Sequence, residues 1–334
     1  MKALIVETAF LGDAIVSLSL ARELKRLDPL CSITYLVRPE AAELMRCSPD
    51  VDEVVPFDKR GAESGLSGLR KKAVELNLKS FDSLFLLHSS ARSQRLASML
   101  NIQIKIGFES ASRSLTHQIA DSGWVNRYQR AALLARAIFP SADIDSSPRI
   151  EVTVRSDVDT FIQRFDRTVA LAPGSVWHTK EWGSDRFVQL ASKLSGEGMG
   201  IVVIGDAKST EVGKQIEDTC GKHTVLELTG RTSLAESAGV IAASTILVAN
   251  DSAPTHIAVA VGTPVLTIFG PTLPAFGFAP PPGAGEVIEV EDTWCRPCAS
   301  HGSDTCPIYT HECMAQITVD MVVKRVDKMM STIR

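Results

Sequence analysis

The sequence has no uninterrupted apolar run near the roughly 18 residues that a membrane-spanning helix needs, so no transmembrane segment is expected. Its first residues, Met1-Lys2-Ala3-Leu4-Ile5-Val6, are apolar, but Glu7 and Asp13 interrupt them too soon for a signal peptide. A cytoplasmic protein is the expectation, one still able to visit a membrane surface. Positive charge is not in excess either. Lys and Arg total 35 against 39 Asp and Glu, a formal net charge of −4, which argues against nucleic acid as the partner. No Gly-x-Gly-x-x-Gly follows a predicted strand and no Gly-x-x-x-x-Gly-Lys-Ser/Thr is present, so NAD enzymes and P-loop ATPases lose support. Short repeats and low-complexity tracts are lacking as well.

What is present is an alternation of strand, turn and helix. The 334 residues, 45% hydrophobic and 22% charged, suit two globular domains rather than one. Strands are predicted at 2–7, 32–37, 53–56, 83–87 and 104–107, and helices follow Gly12-Asp13 and fill 90–100. The second half alternates more cleanly. Strands are predicted at 168–172, 201–205, 225–228, 245–249 and 264–269, and helices at 184–194, 210–220, 234–243, 255–261 and 319–330. Ser184 and Ser233 are the expected N-caps of two of them. Such alternation makes parallel sheets with helices on both faces. Two Rossmann-like domains are expected, 1–160 and 161–334, with Ser146-Ser147-Pro148 marking the loop before the boundary. The proline- and glycine-rich stretch 270–285 is expected to be a long, rigid loop.

Ligands in open α/β sheets bind at the C-terminal ends of strands, so the turns carry the functional candidates. In Gly12-Asp13, glycine permits a sharp turn. Asp13 is either an N-cap or a carboxylate able to accept a proton from a substrate hydroxyl. After Pro173-Gly174-Ser175, Lys180 can meet an anion or be a solvated surface lysine, and Trp182 reads as packing. In Gly230-Arg231-Thr232-Ser233, Ser233 reads as a cap, and backbone groups can meet a base edge. In Asn250-Asp251-Ser252-Ala253-Pro254-Thr255-His256, small residues precede a helix whose first N–H groups suit a phosphate. The simpler alternative is that Asp251 or Ser252 only caps and His256 only packs.

Two further groups are weighed. Ser89-Ser90-Ala91-Arg92-Ser93-Gln94-Arg95, with Lys105 and Arg113, is either local positive charge for an anionic substrate or a solvated helix face. Of seven cysteines, Cys31, Cys47 and Cys220 read as small core residues. Cys295, Cys298, Cys306 and Cys313 can form a closed structural zinc site, but their spacing is not that of a zinc ribbon, and reduced packing thiols compete with it.

The order of these pieces resembles glycosyltransferase family 9, the bacterial ADP-heptose:lipopolysaccharide heptosyltransferases. The resemblance runs nearly end to end: Leu11-Gly12-Asp13, Ala172-Pro173-Gly174-Ser175 with Lys180-x-Trp182, Leu228 through Leu234, Asn250 through His256, Phe269-Gly270-Pro271-Thr272, and the cysteine segment to Met314. Ala253 departs from the glycine common in relatives, and Ser19 from a nearby proline. The resemblance implies a GT-B architecture, two Rossmann-like domains facing a central cleft, with an N-terminal acceptor domain and a C-terminal donor domain. It implies inverting transfer of L-glycero-D-manno-heptose from ADP-heptose to the lipopolysaccharide inner core of a Gram-negative envelope, with no cofactor required. By resemblance Asp13 is the general base and Lys180 steadies the diphosphate. Ser175, Thr232, Ser233, Asp251, Ser252, Ala253 and His256 line the nucleotide-sugar, while Gly12, Arg92 and Arg95 face the acceptor. The cysteine segment leans toward the enzymes that add the second heptose. A monomer working at the inner-membrane surface is expected. Other cell-envelope transferases, a sugar-nucleotide epimerase and a non-catalytic sensor are the alternatives.

Overall fold

Short apolar runs bounded by glycine, proline and small polar residues form the strands, because a parallel strand covered by helices on both faces must be apolar on both sides. The computed structural model describes residues 1–109, 114–121, 126–144 and 147–332; Arg113 and Ser146 lie outside them. The chain divides into two compact units, Met1–Glu151 and Val152–Arg334.

In the first unit the strands are β1 (Lys2–Val6), β2 (Ser32–Val37), β3 (Glu53–Pro56), β4 (Ser83–Leu86), β5 (Ile104–Phe108) and β6 (His117–Ile119). They pair in the order β3-β2-β1-β4-β5-β6, all parallel. In register, Leu4 stands between Thr34 and Leu84. The helices are α1 (Leu11–Leu27), α2 (Pro39–Met45), α3 (Gly65–Asn77), α4 (Ala91–Met99) and α5 (Arg127–Leu133). Leu4, Val6, Leu36, Leu84 and Leu86 form a core with Leu69, Leu76 and Leu96 from α3 and α4. The opposite face carries Tyr35, whose hydroxyl donates to the Ser17 carbonyl of α1 over 2.7 Å. Helix α1 buries Ile15, Leu18, Ala21 and Leu24 and places Lys25 and Arg26 in its last turn, where the helix dipole favours cations.

The second unit opens with α6 (Ser156–Ile162) and carries β7 (Thr168–Ala172), β8 (Gly200–Val203), β9 (Val225–Glu227), β10 (Ile246–Asn250), β11 (Val265–Ile268) and β12 (Gly285–Ile288). The order is β12-β11-β10-β7-β8-β9, again all parallel. Its later helices are α7 (Ser184–Gly196), α8 (Thr210–Cys220), α9 (Leu234–Ala243), α10 (Ala253–Val261), α11 (Glu312–Ala315) and α12 (Val319–Thr332). Trp182, Phe187, Leu190 and Leu194 pack with Val169, Leu171, Ile201 and the apolar face of α12. The fold class is thus α/β with two Rossmann-like units, as the alternation indicates.

Several local expectations change. Asp13 is not the N-cap of α1: Phe10 is, and Asp13 lies three residues inside. Gly12 is correspondingly the second helical residue rather than a turn glycine. Ser184 is the first residue of α7, behind Gly183, whose φ of 113° a side chain would resist. The loop expected through Gly285 ends a residue sooner, where β12 pairs with β11. Ser233 caps α9 as expected, in a reciprocal box with Glu236. Cys31 is buried as a core residue, whereas Cys47 and Cys220 are only half-buried. Among the described residues no helix is long and apolar enough to cross a membrane.

Candidate functional site

In each sheet the crossover direction reverses beside the first strand of its unit, between β1 and β4 in one and between β7 and β10 in the other. Such reversals open a crevice at the strand ends, the favoured ligand position in this class of sheet. Glu7 and Thr8 follow β1 and His88 follows β4; Pro173 follows β7 and Asp251 follows β10.

The second unit's switch point is held by Asn250. Its side-chain N–H donates to the Pro173 carbonyl at 2.6 Å, and its side-chain oxygen accepts the Trp182 N–H at 3.1 Å. Trp182 is fully buried, its indole N–H donating to the Ile317 carbonyl at 2.8 Å, so it is a packing residue as its sequence position suggested. The stitching delivers Lys180 to Asp251: Nζ lies 2.5 Å from Oδ2, with side-chain exposures of 12% and 6%. The Thr272 hydroxyl donates to the same oxygen at 2.7 Å. Asp251 therefore pairs with a cation instead of capping α10. Ser252 occupies the N-cap position, but its hydroxyl donates to the Asn250 carbonyl. Ala253 begins α10 immediately beyond. The site thus combines a buried, charge-paired lysine with the positive end of a helix, an arrangement suited to a diphosphate.

Ser175 is held by Glu181, whose carboxylate accepts the Ser175 N–H at 3.4 Å and meets His178 Nδ1 at 2.9 Å. His256 is buried with its ring centroid 5.9 Å from that of Phe278. Burial pushes its pKa down to about 4, with Lys180 acting in the same direction and Asp251 opposing, so the ring is neutral at physiological pH. Thr232 and Ser233 follow β9, which is separated from β10 by β7 and β8, and their side chains bond to Ser237 and Glu236. They are not brought into hydrogen-bond contact with the Lys180–Asp251 pair.

The cysteine segment braces this site. Arg296, with a side chain only 2% exposed, donates to the carbonyls of Thr272 (2.7 Å) and Val290 (2.5 Å) and to Glu289 (2.6 Å). The Cys298 N–H donates to the Pro271 carbonyl, and His311 Nε2 lies 2.7 Å from the Thr179 carbonyl oxygen. All seven cysteines are free thiols, and among the described residues no three His, Cys, Asp or Glu side chains gather closely enough to hold a metal. Cys313 sits in the core, where burial pushes its thiol up to about 11.

In the first unit, Asp13 reaches back from α1 to accept the Phe10 N–H at 3.3 Å. Around the β1 and β4 ends, the Thr8 hydroxyl lies 3.1 Å from both Lys59 Nζ and Ser93 Oγ and 3.4 Å from His88 Nδ1. Burial holds Lys59 below the usual lysine range, and Arg38, Arg60 and Arg92 lower it further. Arg92 is half-buried in the first turn of α4, whereas Arg95 is exposed and Lys105 lies in β5. Lys59 has no signal in the sequence, and Thr272 stands there only as the end of Phe269-Gly270-Pro271-Thr272, with no role of its own. Glu7 interrupts an apolar run, and that interruption was its only signal.

A protein-family model described as glycosyltransferase family 9 (heptosyltransferase) matches residues 69–308. Lipopolysaccharide heptosyltransferase 2 of Salmonella typhimurium LT2 is 25% identical over 83% of this chain and 84% of its own. The Escherichia coli K12 protein of that name is 26% identical over 83% and 84%. Among solved structures, E. coli ADP-heptose lps heptosyltransferase II superposes with a TM-score of 0.79 at 23% identity, covering 99% of both chains. A family 9 glycosyl transferase from Veillonella parvula superposes with a TM-score of 0.86 at 21% identity, covering 99% of this chain and 97% of the other. With a family model spanning most of its length, the chain is a member of glycosyltransferase family 9.

Proposed function

We propose that the protein transfers L-glycero-D-manno-heptose from ADP-heptose to the inner core of lipopolysaccharide, with inversion at the anomeric carbon, as a cytoplasmic monomer working at the inner face of the inner membrane. The observation that carries the donor assignment is the buried Lys180–Asp251 pair at the N-terminus of α10. Asp251, itself held by the Thr272 hydroxyl, keeps the lysine head where a diphosphate can receive both its charge and that of the helix end. A solved relative of the same fold is described with ADP-2-deoxy-2-fluoro heptose. Ser175, Ser252 and Ala253 lie along the diphosphate and ribose in this reading. Thr232 and Ser233 offer backbone groups to the base, and His256 packs beneath the site.

Asp13 is the general base. It takes the proton of the acceptor hydroxyl as that oxygen attacks the anomeric carbon opposite the leaving ADP. Charge growing on the departing diphosphate is met by Lys180 and α10. Arg92 and Arg95, on the first unit, receive the anionic groups of the core acceptor. The cysteine segment serves as a packed brace, and its likeness to relatives favours addition of the second heptose. Asp13→Ala should keep the fold and ADP binding while lowering transfer by about 100-fold or more, the usual scale for a lost general base. Transfer at the wild-type rate would refute the assignment.

A further inference from the structure

We propose that Glu7 is a positioning residue for the transfer step: its buried carboxyl grips the same turn as Asp13 and fixes the direction in which the Asp13 carboxylate is presented. The inference rests on the reading of Asp13 as base. Glu7 follows the last residue of β1, gives its own N–H to the Leu36 carbonyl at 3.0 Å, and is 6% exposed. Its Oε1 turns forward to accept the Ala9 N–H at 2.8 Å. The next amide, Phe10 N–H, goes to Asp13 Oδ2. Two successive amides of one turn are therefore held by two carboxyl groups, one from the strand behind and one from the helix ahead. The Phe10 carbonyl then accepts the Ala14 N–H and opens α1. Releasing the Ala9 amide would free the turn to rotate, and the Asp13 carboxylate with it.

The charged and titratable groups around Glu7 come from every neighbouring element: Asp13 on α1, Tyr35 on β2, Lys59 after β3, His88 after β4 and Arg130 on α5. His88 Nδ1 stands 3.9 Å from Oε1, beyond hydrogen-bond reach. Burial first, and the Asp13 charge second, push Glu7 up to about 8, while the Ala9 bond, Lys59 and Arg130 oppose this. A Glu7 carboxyl that keeps its proton through neutral pH leaves no second carboxylate charge beside Asp13. When Glu7 ionises above that pH, a second anion beside Asp13 makes it a stronger base, and kcat should rise.

The test compares Glu7→Gln, Glu7→Ala and Asp13→Asn in the full chain, with ADP-heptose and a heptose-free core acceptor, across pH 6 to 9. Glu7→Ala should lower kcat about tenfold and leave the donor KM within about twofold. Glu7→Gln keeps an acceptor for Ala9 N–H but cannot ionise. It should restore kcat at pH 7 to within about threefold and abolish the alkaline rise. Wild-type turnover by Glu7→Ala, or an alkaline rise that persists in Glu7→Gln, would overturn the inference. Should Glu7→Ala fail to fold, Glu7→Met, which fills similar space but offers no oxygen to the Ala9 N–H, takes its place with the same expected loss of kcat. Wild-type turnover by Asp13→Asn would instead refute the base assignment; an inactive Asp13→Asn beside a fully active Glu7→Ala would remove only the role of Glu7.

Discussion

Lys180→Met should destabilise the protein without touching any apolar core residue. The lysine head is 12% exposed and its partner carboxylate 6%, so removing the cation strands a buried anion. Losing one member of a buried pair costs about 3–5 kcal/mol. The low end applies here, because the Thr272 hydroxyl still donates to Asp251 Oδ2 at 2.7 Å. For a unit the size of Val152–Arg334, about 3 kcal/mol lowers the unfolding midpoint by roughly 6–12 °C. Asp251→Asn should cost a similar amount by stranding the cation. The double variant should regain most of the loss, since no charge is then left unpaired. The assay is thermal unfolding of the four proteins as a double-mutant cycle, at fixed pH and without nucleotide. Single variants that melt with the wild type, or a double variant whose loss is the sum of the singles, would refute the claim that this pair is coupled. A further arm adds ADP, which should stabilise the wild type and fail to stabilise Lys180→Met.

Three other outcomes follow from the same geometry. His256 binds a proton more readily unfolded than folded, because burial holds its folded pKa near 4. Stability should therefore fall as pH drops from about 6.5 toward 4, by up to about 3 kcal/mol, and urea titrations of His256→Asn should show a shallower slope in that window. Trp182→Ala should cost about 3–5 kcal/mol in the same titrations, since the side chain is fully buried; a smaller loss than 1 kcal/mol would contradict its packing role. Arg92→Ala should raise the acceptor KM several-fold and leave the donor KM unchanged, whereas equal effects on both would return the residue to a solvated helix face.

The strands were readable because buried parallel strands are continuous apolar runs, and helix α9 was readable because Ser233 and Glu236 form a local capping box. Helix α3 carries a weak sequence signal: GLSGLRKKAVELN places two glycines in the first turn and buries only Leu69, Lys72, Ala73 and Leu76. Strand β6 is three residues long, too short for any period to register. At the site, Asp251 looked like a helix cap because its partner lies 71 residues away and no local pattern announces it. Asp13 was placed at the helix start on the same reasoning, and the structure moves it to the third position. The cysteine spacing does not match a zinc ribbon, and spacing carries no information about Arg296, whose contact with the Thr272 carbonyl makes the segment a support for the loop after β11.

Heptose transfer is tested by one mixture: the purified protein, ADP-heptose and a heptose-free core acceptor, analysed by mass spectrometry. Free ADP should appear together with an acceptor heavier by one heptose, at a rate that depends on both Asp13 and Lys180. Donor returned as an altered sugar with the acceptor unchanged, or donor bound and never consumed, would contradict it.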